Sequence, residues 1–500
     1  MWARSLAVLG LAASALGARS YLYFPNSDVE SVAETIFPSH PGLTVAELSN
    51  LCDQTPSCIG FNTDGWLKNA SSSLGPTPVD LYMIAPTPAP APPPLLWPMP
   101  KIVSIGASKL VLDAANFQFS ATTPCMELDA AFTRFAGIFF PRGAFPTAEP
   151  ARRAGAAVLA RVVVAVDNVS VPLDLGVDES YSLSVPADGS PASISAPTVW
   201  GALHGLQTLS QLVAFDFDAQ AYWTDAPVAV SDAPRFAWRG VMVDPARQFL
   251  QPNVLRSLVD SLTTAKLNTI HVHILDCDSF PIQVAQPFDQ LWKGAFSPRE
   301  RYTAREMAAL VEYARIRGVR IVYEFDQPGH MGAMCKGYPE LCPTPACSSS
   351  YGGDVLDPSS ASTIPAMNAV VDALVAASID SVLHLGGDEV GDACWLASPA
   401  VQAWMKTHNV SDGNGIYEYF VMQSNDMAIA RGKSPMRWEE VWKHFGTALD
   451  RSTIVHAWLS SAALIDAANN GYRTVYSVND NAHVPLLLTP THHPSLASNL

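Results

Sequence analysis

The stretch from Leu383 to Trp395 reads LHLGGDEVGDACW, an apolar run that ends in two adjacent carboxylates, Asp388 and Glu389. Two acids side by side cost nothing on a solvated loop. In a pocket they do something else, because neighbouring carboxylates push each other's pKa values apart and leave one protonated to donate its proton. Other residues of the same kind recur downstream of short apolar runs: Asp244 with Arg247, Asp276, Glu324-Phe325-Asp326 with His330, Trp438 with Glu440, and Trp458. Carboxylates accept hydrogen bonds from sugar hydroxyls, indole faces stack on the apolar faces of sugar rings, and a carboxylic acid can protonate a glycosidic oxygen. The set suits carbohydrate chemistry.

Those runs must be strands. GVMVD, NTIHVHILD, VRIVYEFD, SVLHLGGDE, SPMRWEEV, STIVHAWLS and YRTVYS follow one another from residue 240 to 477, most of them separated by an amphipathic helical stretch such as REMAALVEYARIRG. Repeated strand–helix units imply an α/β fold with a parallel sheet, and seven of them most resemble a (β/α)8 TIM barrel that lacks its last unit. Active sites of such barrels lie at the C-terminal ends of the strands, which is where the acids, the Arg, the His and the Trp fall. His271-Val-His273 places two imidazoles on one strand face and raises a barrel metallohydrolase as a rival, but no late-strand set completes a metal site, so these are read as structural histidines and no metal is expected. No organic cofactor is expected.

Upstream, residues 95–235 alternate strand-like runs (KLVLDAANFQFS, ARVVVAVDN) with helical ones (APTVWGALHGLQTLSQLV) and read as an α+β domain. Residues 76–94 hold a proline-rich linker, PTPAPAPPP. Residues 19–75 form a small module around Cys52 and Cys58, and residues 1–18 have the pattern of a signal peptide cleaved near Gly17 or Ala18. The catalytic part is assigned to 236–500, with its pattern incomplete after about residue 477. Entry to the secretory pathway, for secretion or for a lysosomal or vacuolar destination, makes Asn69, Asn168 and Asn409 glycosylation sequons. It also makes disulfides of most of the eight cysteines. Cys52 is expected to pair with Cys58 and Cys335 with Cys342, while Cys125 and Cys277 are left as thiols. A net charge of −16 without basic stripes excludes nucleic acid as a partner, and beyond the leader no segment could span a membrane.

Taken together, HLGGDEV, GVMVDPARQFL, KLNTIHVHILDCDSFP, VYEFDQPGH and RWEEVW, with LWPMPK, NFQFS and TVWGALHGLQTLSQLV upstream, closely resemble the β-N-acetylhexosaminidases of glycoside hydrolase family 20. The resemblance runs from about residue 95 to 477. It implies an exo-acting enzyme that removes terminal N-acetylglucosamine or N-acetylgalactosamine with retention, using the substrate's own 2-acetamido oxygen as nucleophile. By this resemblance Glu389 is the general acid/base and Asp388 orients the acetamido group. Arg247 clamps sugar hydroxyls, Asp276 and His330 surround the acid, and Trp438 and Trp458 wall the acetamide pocket. The resemblance also implies a Cys347–Cys394 bridge and a homodimer. The partners expected are glycans that end in N-acetylhexosamine; a catalytically dead glycan-binding protein of the same fold is the alternative. Two departures stand out: Cys277 where relatives often carry an acid or Ser, and a tail after Ser477 without the family's tyrosine, tryptophan and late acid. On the second ground the chain as written is expected to be inactive or misfolded, the encoded enzyme to be longer, and the tail not to pair regularly.

Overall fold

A computed structural model of the protein describes residues 96–143, 155–345 and 354–478 continuously, together with shorter stretches between 21 and 84 and at 486–488. The chain divides into two compact units, Met1–Pro94 and Leu95–Leu500.

In the first unit a five-stranded antiparallel sheet runs in the order Tyr21–Phe24, Leu81–Ile84, Gly60–Asn62, Leu67–Lys68, Thr35–Ile36. Leu81–Ile84 falls inside the stretch read as linker, so the module reaches at least Ile84. Its helix, Val45–Gln54, starts at a capping box in which Thr44 and Glu47 satisfy each other's backbone N–H groups. Among the described residues its core is Leu48, Phe61, Leu67 and the disulfide Cys52–Cys58.

The second unit opens with the α+β layer. Its main sheet runs Val158–Leu159, Ile102–Leu112, Ala221–Asp232, Tyr181–Val185, Ala192–Thr198, Arg161–Asn168, Gln118–Ala121. Burial alternates strictly along Tyr181–Val185 and Ala192–Thr198, as in a sheet covered on one face. The helices Met126–Phe139 and Val199–Gln211 share a core with that face. Val199–Gln211 is buried continuously from Val199 to Leu209 because its far side meets the barrel, where Leu203 and Trp200 reach Gly318. A polar junction locks the two layers. Glu179 accepts from Arg239 (2.7 and 2.9 Å) and sits 2.9 Å from His204, while Lys266 donates to Tyr181 (2.8 Å) and Asp232 (3.1 Å).

The barrel strands are Gly240–Val243, Thr269–His273, Arg320–Glu324, Val382–His384, Ser434–Trp438, Ile454–Ala457 and Arg473–Tyr476, each parallel to the next in that order. The second and third are buried at every residue, which parallel strands covered on both faces require. The tail behaves differently from expectation. Leu486–Leu488 pairs antiparallel with the seventh strand; Pro485 and Pro490 flank the triplet, so neither ring falls within the three paired residues. Cys335–Cys342 is formed and Cys394 is disulfide-bonded; Cys347, its expected partner, lies outside the described residues. Cys125 and Cys277 are free thiols. Among the described residues no helix is long and apolar enough to cross a membrane.

Candidate active site

Strand four stops at His384, and the next five residues decide the site. Gly386 and Gly387 have φ of 57° and 100°, and Glu389 has φ of 52°. A Cβ on Gly386 would lie 1.9 Å from Asp326 Oδ1, and one on Gly387 would lie 2.5 Å from Val441 Cγ2. Both conformation and space therefore demand glycine. This left-handed turn breaks the strand's alternation, which would have pointed adjacent side chains to opposite faces. Asp388 and Glu389 consequently face one pocket, Asp388 sunk with 17% of its side chain exposed and Glu389 nearer the mouth with 34%.

The turn is held from behind. Asp326 Oδ1 accepts the Gly387 N–H (2.7 Å), Tyr417 Oη donates to the Gly387 carbonyl, and Arg437 Nη1 donates to the Leu385 carbonyl (2.6 Å). Arg437 is wholly buried and also binds Val421 O and Asn425 Oδ1 of the helix Gly413–Ile429. Tyr417 and Arg437 were not among the expected site residues, and Asp326 was expected only as one of the acids at a strand end. Arg437 did leave a signal, since a cation inside the apolar strand SPMRW is too costly without a structural task. Tyr417 left none.

His330 stands at the centre, in a left-handed conformation of its own (φ 56°). Its Nε2 lies 3.5 Å from Glu389, 3.9 Å from Asp388 and 3.9 Å from Asp326, and its Nδ1 lies 3.4 Å from Asp276. Burial opposes its charge, yet Asp276, the Cys277 thiol, Asp326 and Asp388 push its pKa up to about 12, so it is an imidazolium. Asp276 also receives Arg247 (2.7 Å) and His273 Nε2 (2.8 Å), and His273 and His330 hold its carboxyl below the ordinary range against burial. Arg247 is fixed in turn by Asp244 (2.8 Å). Burial pushes both Asp326 and Asp388 upward; the Asp326 carboxyl adds to this at Asp388, which goes well above the usual carboxylate range, while the hydrogen bond with Asp388 works the other way on Asp326. Asp326, not foreseen in this role, faces Asp388 from the loop just after strand three.

Behind the acids Glu324, fully buried, accepts from Trp438 Nε1 (2.7 Å) and pairs with His273 Nδ1 (2.8 Å). His384, His273 and His271 keep it well below its usual pKa despite burial. Trp438 is 6% exposed and meets Trp458 edge-on, ring centres 6.4 Å apart. All seven expected residues therefore gather at one end of the barrel. Several donor sets could hold a cation, the most buried being His271, His384 and His456. The His271 and His384 rings stack face to face (4.4 Å, 22°), which turns planes rather than lone pairs toward each other. The sets around Asp276 and Asp326 already have Arg247 and His330 as cationic partners.

A family model described as "Glycosyl hydrolase family 20, catalytic domain" matches residues 236–487, and one described as "beta-acetyl hexosaminidase like" matches residues 96–212. The chain belongs to glycosyl hydrolase family 20. Curated family members include beta-hexosaminidase 3 of Arabidopsis thaliana, 34% identical over 76% of this chain and 72% of its own, and beta-hexosaminidase subunit alpha of Rattus norvegicus, 32% identical over 73% and 70%. Among solved family 20 structures, a Flavobacterium johnsoniae chitobiase is 30% identical with a TM-score of 0.66, covering 77% of this chain and 59% of its own. The Vibrio harveyi exo-β-N-acetylglucosaminidase in complex with N-acetylglucosamine shares the fold at 20% identity, with a TM-score of 0.64 over 82% of this chain and 72% of its own.

Proposed function

We propose that this family 20 member is an exo-acting β-N-acetylhexosaminidase that hydrolyses terminal N-acetylglucosamine or N-acetylgalactosamine from glycans with retention. The observation that carries the reading is the left-handed Gly386-Gly387 turn, which sets Asp388 and Glu389 side by side in one pocket. Glu389, at the mouth, protonates the glycosidic oxygen and then takes a proton from the water that completes hydrolysis. Asp388 accepts the acetamido N–H and offsets the positive charge of the oxazolinium formed when the acetamido oxygen attacks the anomeric carbon. His330 and Asp276 tune the acids, Arg247 binds sugar hydroxyls, and Trp438 and Trp458 line the acetamide pocket. The disulfides suit an oxidising compartment, and we place the protein in the secretory pathway.

The test is turnover of aryl N-acetyl-β-glucosaminide by the full-length protein. Glu389→Gln slows it by about 10²–10⁴-fold, since the leaving oxygen loses its proton donor. Aryl β-glucosides without the acetamido group are almost inert. Comparable turnover of the two substrates overturns the substrate-assisted mechanism. Binding of the sugar without any turnover favours the glycan-binding alternative.

A further inference from the structure

Strand five runs directly into the short helix Glu439–Phe445, and its first two residues both reach across to the loop after strand six. Glu439 Oε2 accepts the backbone N–H groups of Trp458 (2.9 Å), Leu459 (2.9 Å) and Ser460 (3.1 Å), and Lys443 pairs with the same carboxylate. Glu440 takes the side chain: both its oxygens accept from Trp458 Nε1, at 3.0 and 3.2 Å. Consecutive glutamates thus grip one tryptophan, the first by its backbone and the second by its indole.

We propose that Glu440 is a positioning residue that sets the acyl-group selectivity of the site by fixing the indole of Trp458 as one wall of the acetamide pocket. The proposal rests on the function given above. An indole N–H that loses its acceptor in a partly buried site is free to seek another, and the ring turns with it. Trp458 meets Trp438 edge-on, and Trp438 is itself pinned to Glu324. A wall fixed at both ends excludes a longer acyl chain; a wall that turns admits it. Burial, with Asp388 and Glu439 nearby, pushes the Glu440 carboxyl up to about 7, and either protonation state leaves an oxygen to accept from the indole. Gln offers the same oxygen, whereas Ala offers none.

The experiment compares kcat and KM for aryl β-glucosaminides carrying N-acetyl, N-propanoyl and N-butanoyl groups, in wild type, Glu440→Gln, Glu440→Ala, Trp458→Phe and the Glu440→Ala, Trp458→Phe double variant. Glu440→Ala raises KM for the N-acetyl substrate about tenfold, the scale of one lost buried hydrogen bond. It also narrows the N-acetyl to N-butanoyl ratio of kcat/KM. Glu440→Gln restores both, and Glu440→Ala in a Trp458→Phe background adds nothing further. A folded Glu440→Ala protein with the wild-type acyl ratio overturns the proposal. Wild-type turnover of the N-acetyl substrate tests the underlying function separately. If it is absent, tryptophan-fluorescence titration with N-acetyl- and N-butanoylglucosamine measures the same ratio in binding. An unchanged ratio in Glu440→Ala then overturns the inference, and a narrowed one supports it.

Discussion

Asp326 and Asp388 are two acids held in one buried place, and their coupling has a signed consequence. Asp388 must be ionised to support the positive intermediate, and the Asp326 carboxyl raises the pKa at which it ionises. Replacing Asp326 by Asn keeps an oxygen for the Gly387 N–H but removes the charge. The acid limb of the kcat/KM profile therefore moves to lower pH in Asp326→Asn, which a pH–rate series measures directly; a shift to higher pH refutes the coupling. Asp388, Glu389, Asp276 and Arg247 were legible in the sequence because each follows an apolar run that must be a barrel strand. Asp326 was visible on the same ground, yet its role was not, since nothing in the chain's order says that the acid just past strand three faces the one just past strand four. Glu440 was noted on strand five without its partner. Contacts made across strands are written in register, and register appears only in the fold.

At the scale of elements, the junction between the α+β layer and the barrel makes an acid-sensitive lock. Glu179 is 5% exposed, and against burial His204 and Arg239 lower its pKa from 4.5 to about 2. A depressed carboxyl stabilises the fold above its unfolded pKa, and the contribution is lost as pH falls from 4.5 toward about 2. The amount is about 3 kcal/mol. Urea unfolding followed from neutral pH into acid shows wild-type stability falling across this window, while Glu179→Gln, already lower, loses less over the same range. An identical acid dependence in the two proteins refutes the lock. Separately, Arg239→Met, which strands Glu179 as a buried charge, costs about 3–5 kcal/mol at neutral pH. The elements themselves were the legible part: every expected barrel strand is present, because parallel strands buried on both faces read as unbroken apolar runs. The two misjudged segments are short. Leu81–Ile84 carries an apolar quartet inside a proline-rich stretch, and Leu486–Leu488 is too brief for a period to register.

For the whole molecule, two compact units of unequal size predict two unfolding events. Among its described residues the first unit has a core of a few side chains and one disulfide, and a domain of this size depends on its cross-link. Scanning calorimetry of the full-length protein shows a minor transition that disappears on reduction of Cys52–Cys58, alongside a major transition from the barrel and its α+β layer. A single transition insensitive to reduction argues against the division.

The glycine turn at the end of strand four carries a consequence for descent. Gly386 and Gly387 contribute no functional group, yet any coded replacement at Gly386 collides with Asp326 and meets a left-handed backbone as well. A lineage can therefore lose this chemistry while keeping every acid, histidine and tryptophan of the pocket. Inventories of dead relatives that check only the carboxylates will count such proteins as living, and the glycines are where to look.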